Sequence, residues 1–444
     1  KFQTDLAAAT LPLSDQNDPE KTYNPLSLEE LRTLYANIDI EAYLKAAGAD
    51  GFHSWVVNDP GQAKKINSYL TEDHLPLLKE YSVFCLIKDF SPFLTPEIRD
   101  STIAWNNTQK GVQGKKTDKK LAAELVQNTF GFEFGRLYTE KYFSEEDKKA
   151  VETLVHQILS AYKERINGLE WMGETTKEKA IRKLDHMTLK IGYPDNWPDY
   201  YENAVILPEG RGSLIDNMVT VYRSLRSFEK EEIKKPVDRG QWGMTPQTVN
   251  AYYNPLNNEI VFPAAILQPP FYDPEAGRAA NLGGIGMVIA HEISHAFDSS
   301  GSCYDENGNY NMWWTEEDLK KFQELTLRVT EYYNDQEAVK GRYVNGQQTL
   351  NENIADLGAL ACVTSIAGDD TEALDSLFRQ YARIWASKYT EESMIHRLNT
   401  DVHSPAKVRV NAVLSSTEAF YKVYPDLKEG DGMYVAPEKR VKIW

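Results

Sequence analysis

From Leu26 to about Leu169, apolar residues recur every three or four positions, the spacing that lines one face of a helix. The runs Leu28–Asn37, His74–Lys88 and Glu145–Ile166 carry this pattern most clearly and are predicted as amphipathic helices. No convincing strand-like alternation interrupts them. The run Lys110–Lys120, five lysines around two glycines, is predicted as an exposed connection. Between Ile191 and Gly240 the helical pattern breaks at Gly192, Pro194, Pro198, Pro208, Gly210 and Gly212, then resumes over Met218–Glu232. Beyond Pro236 aromatic and turn residues increase. Val249–Tyr253 and Glu259–Phe262, separated by Asn254-Pro255-Leu256-Asn257-Asn258, read as two extended segments, and long helices follow. A boundary near Glu170–Pro194 divides the chain into a helical region, residues 1–175, and a second region, residues 176–444.

Composition narrows the function classes. With 444 residues, 41% of them hydrophobic, the chain can bury a large core in two or three domains of roughly 100–200 residues each. A net charge of -17 repels phosphate backbones and anionic lipid surfaces, which argues against nucleic-acid and membrane partners. The most apolar stretch, Gly358–Ala367, is too short to span a bilayer. Three widely spaced cysteines, Cys85, Cys303 and Cys362, form neither a disulfide framework nor a structural zinc site. Lys1 is preceded by no Met and followed by no signal-peptide pattern, so a processing boundary is expected there, and a cytoplasmic and a secreted protein both stay open. One glycosylation triplet, Asn106-Asn107-Thr108, favours a bacterial origin.

The segment Gly284–Asp298 contains His291-Glu292-Ile293-Ser294-His295. On a helix, residues four apart stand one above the other, so His291 and His295 can offer two imidazole nitrogens to one metal, with Glu292 beside them as a base. With 8 His in the chain, chance produces this pattern on the order of once in a hundred such sequences. A catalytic zinc site needs a third protein ligand and an open position for water. Glu352 is the best candidate, in the helix-like segment Leu350–Leu360 where Asp356 shares its face. Metal-bound histidines pass their second N–H to a carboxylate, and Asp356 and Asp298 suit that role. No third histidine follows closely; His396 and His403 lie about a hundred residues on. Two imidazoles and a carboxylate favour zinc, one ion per chain.

These motifs resemble the neprilysin-like zinc endopeptidases, and the resemblance covers essentially the whole chain. It is carried by Val249–Tyr253, Ile260–Phe271, the histidine segment, the Glu352 segment, Asp401-Val402-His403-Ser404-Pro405 and Trp444. It implies a mainly helical, two-domain zincin, with a thermolysin-like catalytic domain and a helical cap enclosing a central cavity. It also implies an activity, hydrolysis of small oligopeptides on the N-terminal side of hydrophobic residues, by a monomer. Further roles follow from it. Asn250 and Ala251 hold the substrate backbone, His403 stabilises the transition state, and Arg409 binds a substrate carbonyl. Ile266, Phe271, Met287, Val288 and Trp385 line the pocket for the residue after the cut. Family members carry a further N-terminal segment ahead of the position of Lys1. Two other readings make different demands on the sequence. A zinc aminopeptidase would carry a Gly-x-Met-Glu-Asn segment, and nothing of that form precedes His291. A catalytically weak or inactive binding protein that keeps the fold would usually have lost a ligand or the base, yet all four residues are present.

Overall fold

In the computed structural model, which describes residues Lys1–Trp444, the chain is mostly helical and forms two compact units. One comprises Lys1–Val126 and Asn196–Gln241; the other comprises Gln127–Asp195 and Trp242–Trp444. The chain thus passes between them three times, and residues 127–175, expected with the helical region, pack in the second unit. The helix Glu145–Asn167 explains this. It starts at a capping box, Ser144 with Asp147, and buries Val151, Val155, Ile158, Leu159, Tyr162 and Ile166 along one stripe. Each such side chain contributes about 1.5–3 kcal/mol when withdrawn from water. The stripe finds its partners far along the chain. Ile158 meets Cys362, while the Tyr162 hydroxyl donates to the Ala290 carbonyl at 2.8 Å and lies 2.5 Å from Ser294 Oγ.

The first unit has a small core of Leu31, Ile40 and Leu44, surrounded by Leu26, Leu28, Tyr35 and Trp55. The helix Leu28–Leu34 begins at a second capping box, Ser27 with Glu30, and stops short of the expected Asn37. Two-residue strands, Pro25–Leu26 and Trp55–Val56, pair antiparallel where the sequence showed no alternation. The expected helix at 74–88 spans Leu75–Phe90 and, like Pro96–Gln109, fully buries none of its residues. Lys110 to Thr117 is a connection, shorter than the expected Lys110–Lys120 because the helix Asp118–Thr129 takes in its last three residues.

In the second unit, three strands form a sheet whose centre, Glu259–Pro263, is buried throughout. Tyr252–Asn254 pairs antiparallel with it, and Thr188–Gly192 pairs parallel on its other side. The latter strand lies where the sequence showed only the approach to a break in helical pattern. Tyr252–Asn254 is an edge of the sheet, with one side free of strand partners.

Glycines set the approach of the central helices. The helix Met287–Ser294 is entered through a wide turn, Leu282–Gly286. A Cβ at Gly283 would stand 2.1 Å from the Leu377 carbonyl oxygen, and one at Gly284 would stand 2.2 Å from that of Phe271. Any side chain there would push the histidine helix off its supports. No helix is long and apolar enough to cross a membrane, and no disulfide joins the three cysteines.

Candidate metal centre

His291 and Glu292 lie on the helix Met287–Ser294, and His295 caps its end. Glu352 and Asp356 lie on the helix Leu350–Ala367, which packs closely across it. The two four-residue spacings therefore present their donors to one another. His291 Nε2 is 3.0 Å from His295 Nε2 and 3.2 Å from Glu352 Oε2, and His295 Nε2 is 3.6 Å from the same oxygen. Donors about 2.0–2.1 Å from a tetrahedral zinc stand roughly 3.3–3.4 Å apart, so the three separations bracket the edge of such a site.

The hydrogen bonds around the donors identify which nitrogens face inward. His291 Nδ1 meets Asp356 Oδ1 at 2.9 Å, and His295 Nδ1 meets Asp298 Oδ2 at 2.6 Å. An ionised carboxylate only accepts, so each Nδ1 carries a proton, and in the neutral form of each ring, the form that binds a metal, Nε2 turns a bare lone pair to the centre. Glu352 Oε2 is buried without a hydrogen-bond donor of its own. Three lone pairs converging on one point repel each other unless a positive charge lies between them, and the donor set thus fits a divalent cation.

The electrostatics agree. Burial pushes the Glu352 carboxyl upward, but His295 and His291 hold it well below the usual carboxylate range. Burial would likewise lower His295, yet the charge of Glu352 and the bond to Asp298 hold it well above the ordinary imidazole value. The site calls for positive charge, supplied by protons or by a metal.

Asp356 is itself held. Arg409 donates to it through Nε and Nη2, both at 2.7 Å, and the guanidinium stacks 4.0 Å from the centre of the Trp385 ring. Burial raises the Asp356 carboxyl, but Arg409 and His291 bring it down to about 2. Arg409, expected at a substrate carbonyl, thus gives two of its five N–H groups to the carboxylate behind His291. His403 Nε2 is 3.2 Å from Glu352 Oε2, and its Nδ1 is 2.8 Å from Asp401 Oδ1. Asp401, which orients this ring, has no other local signal in the sequence than its place two positions before a histidine.

The remaining expected residues fall in two places. Asn250, exposed, and Ala251, buried, immediately precede the edge strand Tyr252–Asn254. Ile266 and Met287 are buried in the main apolar cluster of the second unit, with Phe271, Val288 and Trp385 half-buried against it.

Comparison with known proteins follows the same lines. Family models described as peptidase family M13 match residues 1–194 and 250–441. The chain is 34% identical over 443 residues to a neutral endopeptidase of Lactobacillus helveticus, covering 100% of this chain and 68% of the relative. It is 31% identical over 448 residues to an endothelin-converting enzyme homolog of Locusta migratoria, covering 95% of this chain and 62% of that one. Among solved structures, the zinc metalloprotease Zmp1 of Mycobacterium tuberculosis, in complex with an inhibitor, is similar with a TM-score of 0.92 and 35% identity. That match covers 100% of this chain and 69% of the other. PepO from Lactobacillus rhamnosis is similar with a TM-score of 0.94 and 31% identity, covering 100% and 70%. The chain thus spans about two thirds of the length of its bacterial relatives.

Proposed function

The chain belongs to peptidase family M13, the neprilysin-like metalloendopeptidases, and from that premise we propose that it hydrolyses short peptides at a single zinc site, cutting before hydrophobic residues. The observation that carries this reading is the convergence of His291 Nε2, His295 Nε2 and Glu352 Oε2, all within 4.8 Å of one another. These three residues would hold the zinc, which when bound would supply a Lewis acid for the peptide carbonyl and for water.

The chain's own groups carry the rest. Glu292, next to His291 on the buried helix, accepts a proton from the attacking water and delivers it to the leaving nitrogen. His403, held through Nδ1 by Asp401, donates from Nε2 to the developing oxyanion in its imidazolium form, the one form in which both ring nitrogens carry protons; losing one such donor typically costs about 100–1000-fold in turnover. Asn250 and Ala251 take the substrate as an added strand beside the sheet edge, and Arg409 uses N–H groups not engaged by Asp356 to hold a substrate carbonyl. Extended binding of this kind suits short peptides, because folded proteins offer few free strands. Ile266, Phe271, Met287, Val288 and Trp385 supply the apolar contacts for the residue after the cut. Discrimination among apolar residues is then modest, about 1–3 kcal/mol per methylene.

The test pairs one variant with one map. Glu292→Gln keeps the shape of the side chain but cannot take the proton, so it should retain stoichiometric zinc and lose hydrolysis. Cleavage sites of the parent in a mixed peptide library, read by mass spectrometry, should fall before Leu, Ile and Phe. Turnover by Glu292→Gln above a few per cent of the parent would refute the general base, and predominant cutting before Lys or Asp would refute the pocket.

A further inference from the structure

The histidine helix ends in a loop, Ala296–Tyr304, that folds back beneath His295. A Cβ at Gly301 would stand 1.8 Å from the His295 carbonyl oxygen, so the backbone there lies directly against the ligand residue. Asp298 sits within this loop and faces two ways. Its Oδ2 meets His295 Nδ1, while its Oδ1 accepts the N–H groups of Ser300 at 2.8 Å and Gly301 at 2.7 Å.

Beneath the loop lies a buried lysine. Lys183, on the helix Glu174–Asp185, is 1% exposed. Its ammonium donates to the carbonyls of Ala296 at 2.9 Å, Gly301 at 2.7 Å and Tyr304 at 2.7 Å. An ammonium has three N–H groups, and three carbonyls from the two ends and the middle of one loop receive them. Gly301 joins the two arrangements, since its N–H goes to Asp298 and its C=O to Lys183. Burial disfavours the charge on Lys183, and Asp298 is the acid that most favours it. No step at the metal centre uses this lysine, and a buried ammonium without acceptors would be costly.

We propose that Lys183 is a positioning residue of the metal centre: it pins the loop 296–304 so that Asp298 keeps the His295 ring oriented with Nε2 toward the metal. The proposal rests on the zinc-site reading above, and it adds a residue that acts two steps behind a ligand. Lys183 does not touch substrate or metal. It fixes three carbonyls, these fix the Gly301 backbone, and that backbone fixes the carboxylate that steers the imidazole.

The experiment uses the full chain and zinc itself, with Lys183→Met, Asp298→Asn and the double variant. Zinc affinity is measured on folded protein by competition with a chromophoric chelator, and folding is followed separately by tryptophan fluorescence in urea. Removing the group that orients a metal-bound histidine typically weakens binding about 10–100-fold. Lys183→Met should therefore weaken zinc binding by about 10-fold or more, and should add less than about 3-fold when Asp298 is already Asn, because both act through one imidazole. Activity lost by Lys183→Met should return as free zinc is raised. Should Lys183→Met fail to fold, Lys183→Arg, which keeps the charge but cannot place three donors in the same small space, is judged by the same criteria. A lysine with only a structural role would lower the urea midpoint and leave zinc affinity unchanged; that result, or full additivity with Asp298→Asn, overturns the proposal. A parent protein that takes up no zinc overturns the metal-site reading itself, and this proposal with it.

Discussion

Replacing Asp356 by Asn removes one of two opposite charges that the fold withdraws from water together. Asp356 and Arg409 are both buried and joined by two 2.7 Å hydrogen bonds. The Asp356 carboxyl falls from an ordinary 3.8 to about 2 in the fold, a gap equivalent to roughly 2.5 kcal/mol. Because the folded value is the lower one, this stabilisation is fully present above pH 4 and is lost as the pH falls toward 2. Breaking the pair costs more than that figure, because Arg409 is left buried without its counter-charge; about 3–5 kcal/mol is expected. Arg409→Met should cost a similar amount by stranding Asp356. The double variant strands neither, so its cost should fall short of the sum of the singles by about 2 kcal/mol or more. Urea unfolding of metal-free protein measures all three, with tryptophan fluorescence as the signal, since Trp171, Trp314 and Trp444 cluster within the same unit. Below pH 4 the gap between parent and Asp356→Asn should narrow. Single costs that add to within about 0.5 kcal/mol, or a gap indifferent to pH between 4 and 2, would refute the coupling.

Three further outcomes are expected. Glu352→Ala should lose stoichiometric zinc at low free metal, as read by metal analysis of purified protein, because two imidazoles alone leave the tetrahedral site a ligand short. His403→Ala should lower kcat by about 100-fold with little change in KM, in steady-state assays on a Leu-containing peptide, because its donor acts on charge that develops only in the transition state. Gly283→Ala should lower the urea midpoint, equivalent to about 1–3 kcal/mol or more, since the new methyl would meet the rigid Leu377 carbonyl.

Much of the metal centre is legible in the sequence because its donors sit on helices. A spacing of four residues places His291 over His295 and Glu352 over Asp356 whatever the rest of the chain does. Helix starts are equally local: Ser144 and Asp147 mark the N-terminus of Glu145–Asn167 within a four-residue window. Features made by distant pairing are another matter. Thr188–Gly192 gains its strand character from Glu259–Pro263, some 70 residues later, and its own Gly192 resembles only a breaker. His403 is drawn to Glu352 by tertiary packing, and only resemblance to a family singled it out. Lys183 looks like any helix-surface lysine until three carbonyls of the loop are seen around it. Arg409 behind Asp356 is a similar case: its partner is 53 residues away, and no local pattern announces it.

The three crossings of the chain between its units have a consequence for synthesis on the ribosome. The apolar stripe of Glu145–Asn167 is complete once Asn167 emerges, yet it closes against Ala290, Ser294 and Cys362, the last nearly 200 residues further on. At about 5–20 residues per second that is a delay of roughly 10–40 s. During it the stripe lacks its last partners, although the helix Glu174–Asp185 and the strand Thr188–Gly192, which pack against the same helix, emerge early. His291 and His295 also appear before Glu352, so a metal ion arriving early finds two ligands of three. Loading is therefore a late event, coupled to the docking of the helix Leu350–Ala367, and the nascent chain passes most of its elongation without a competent site.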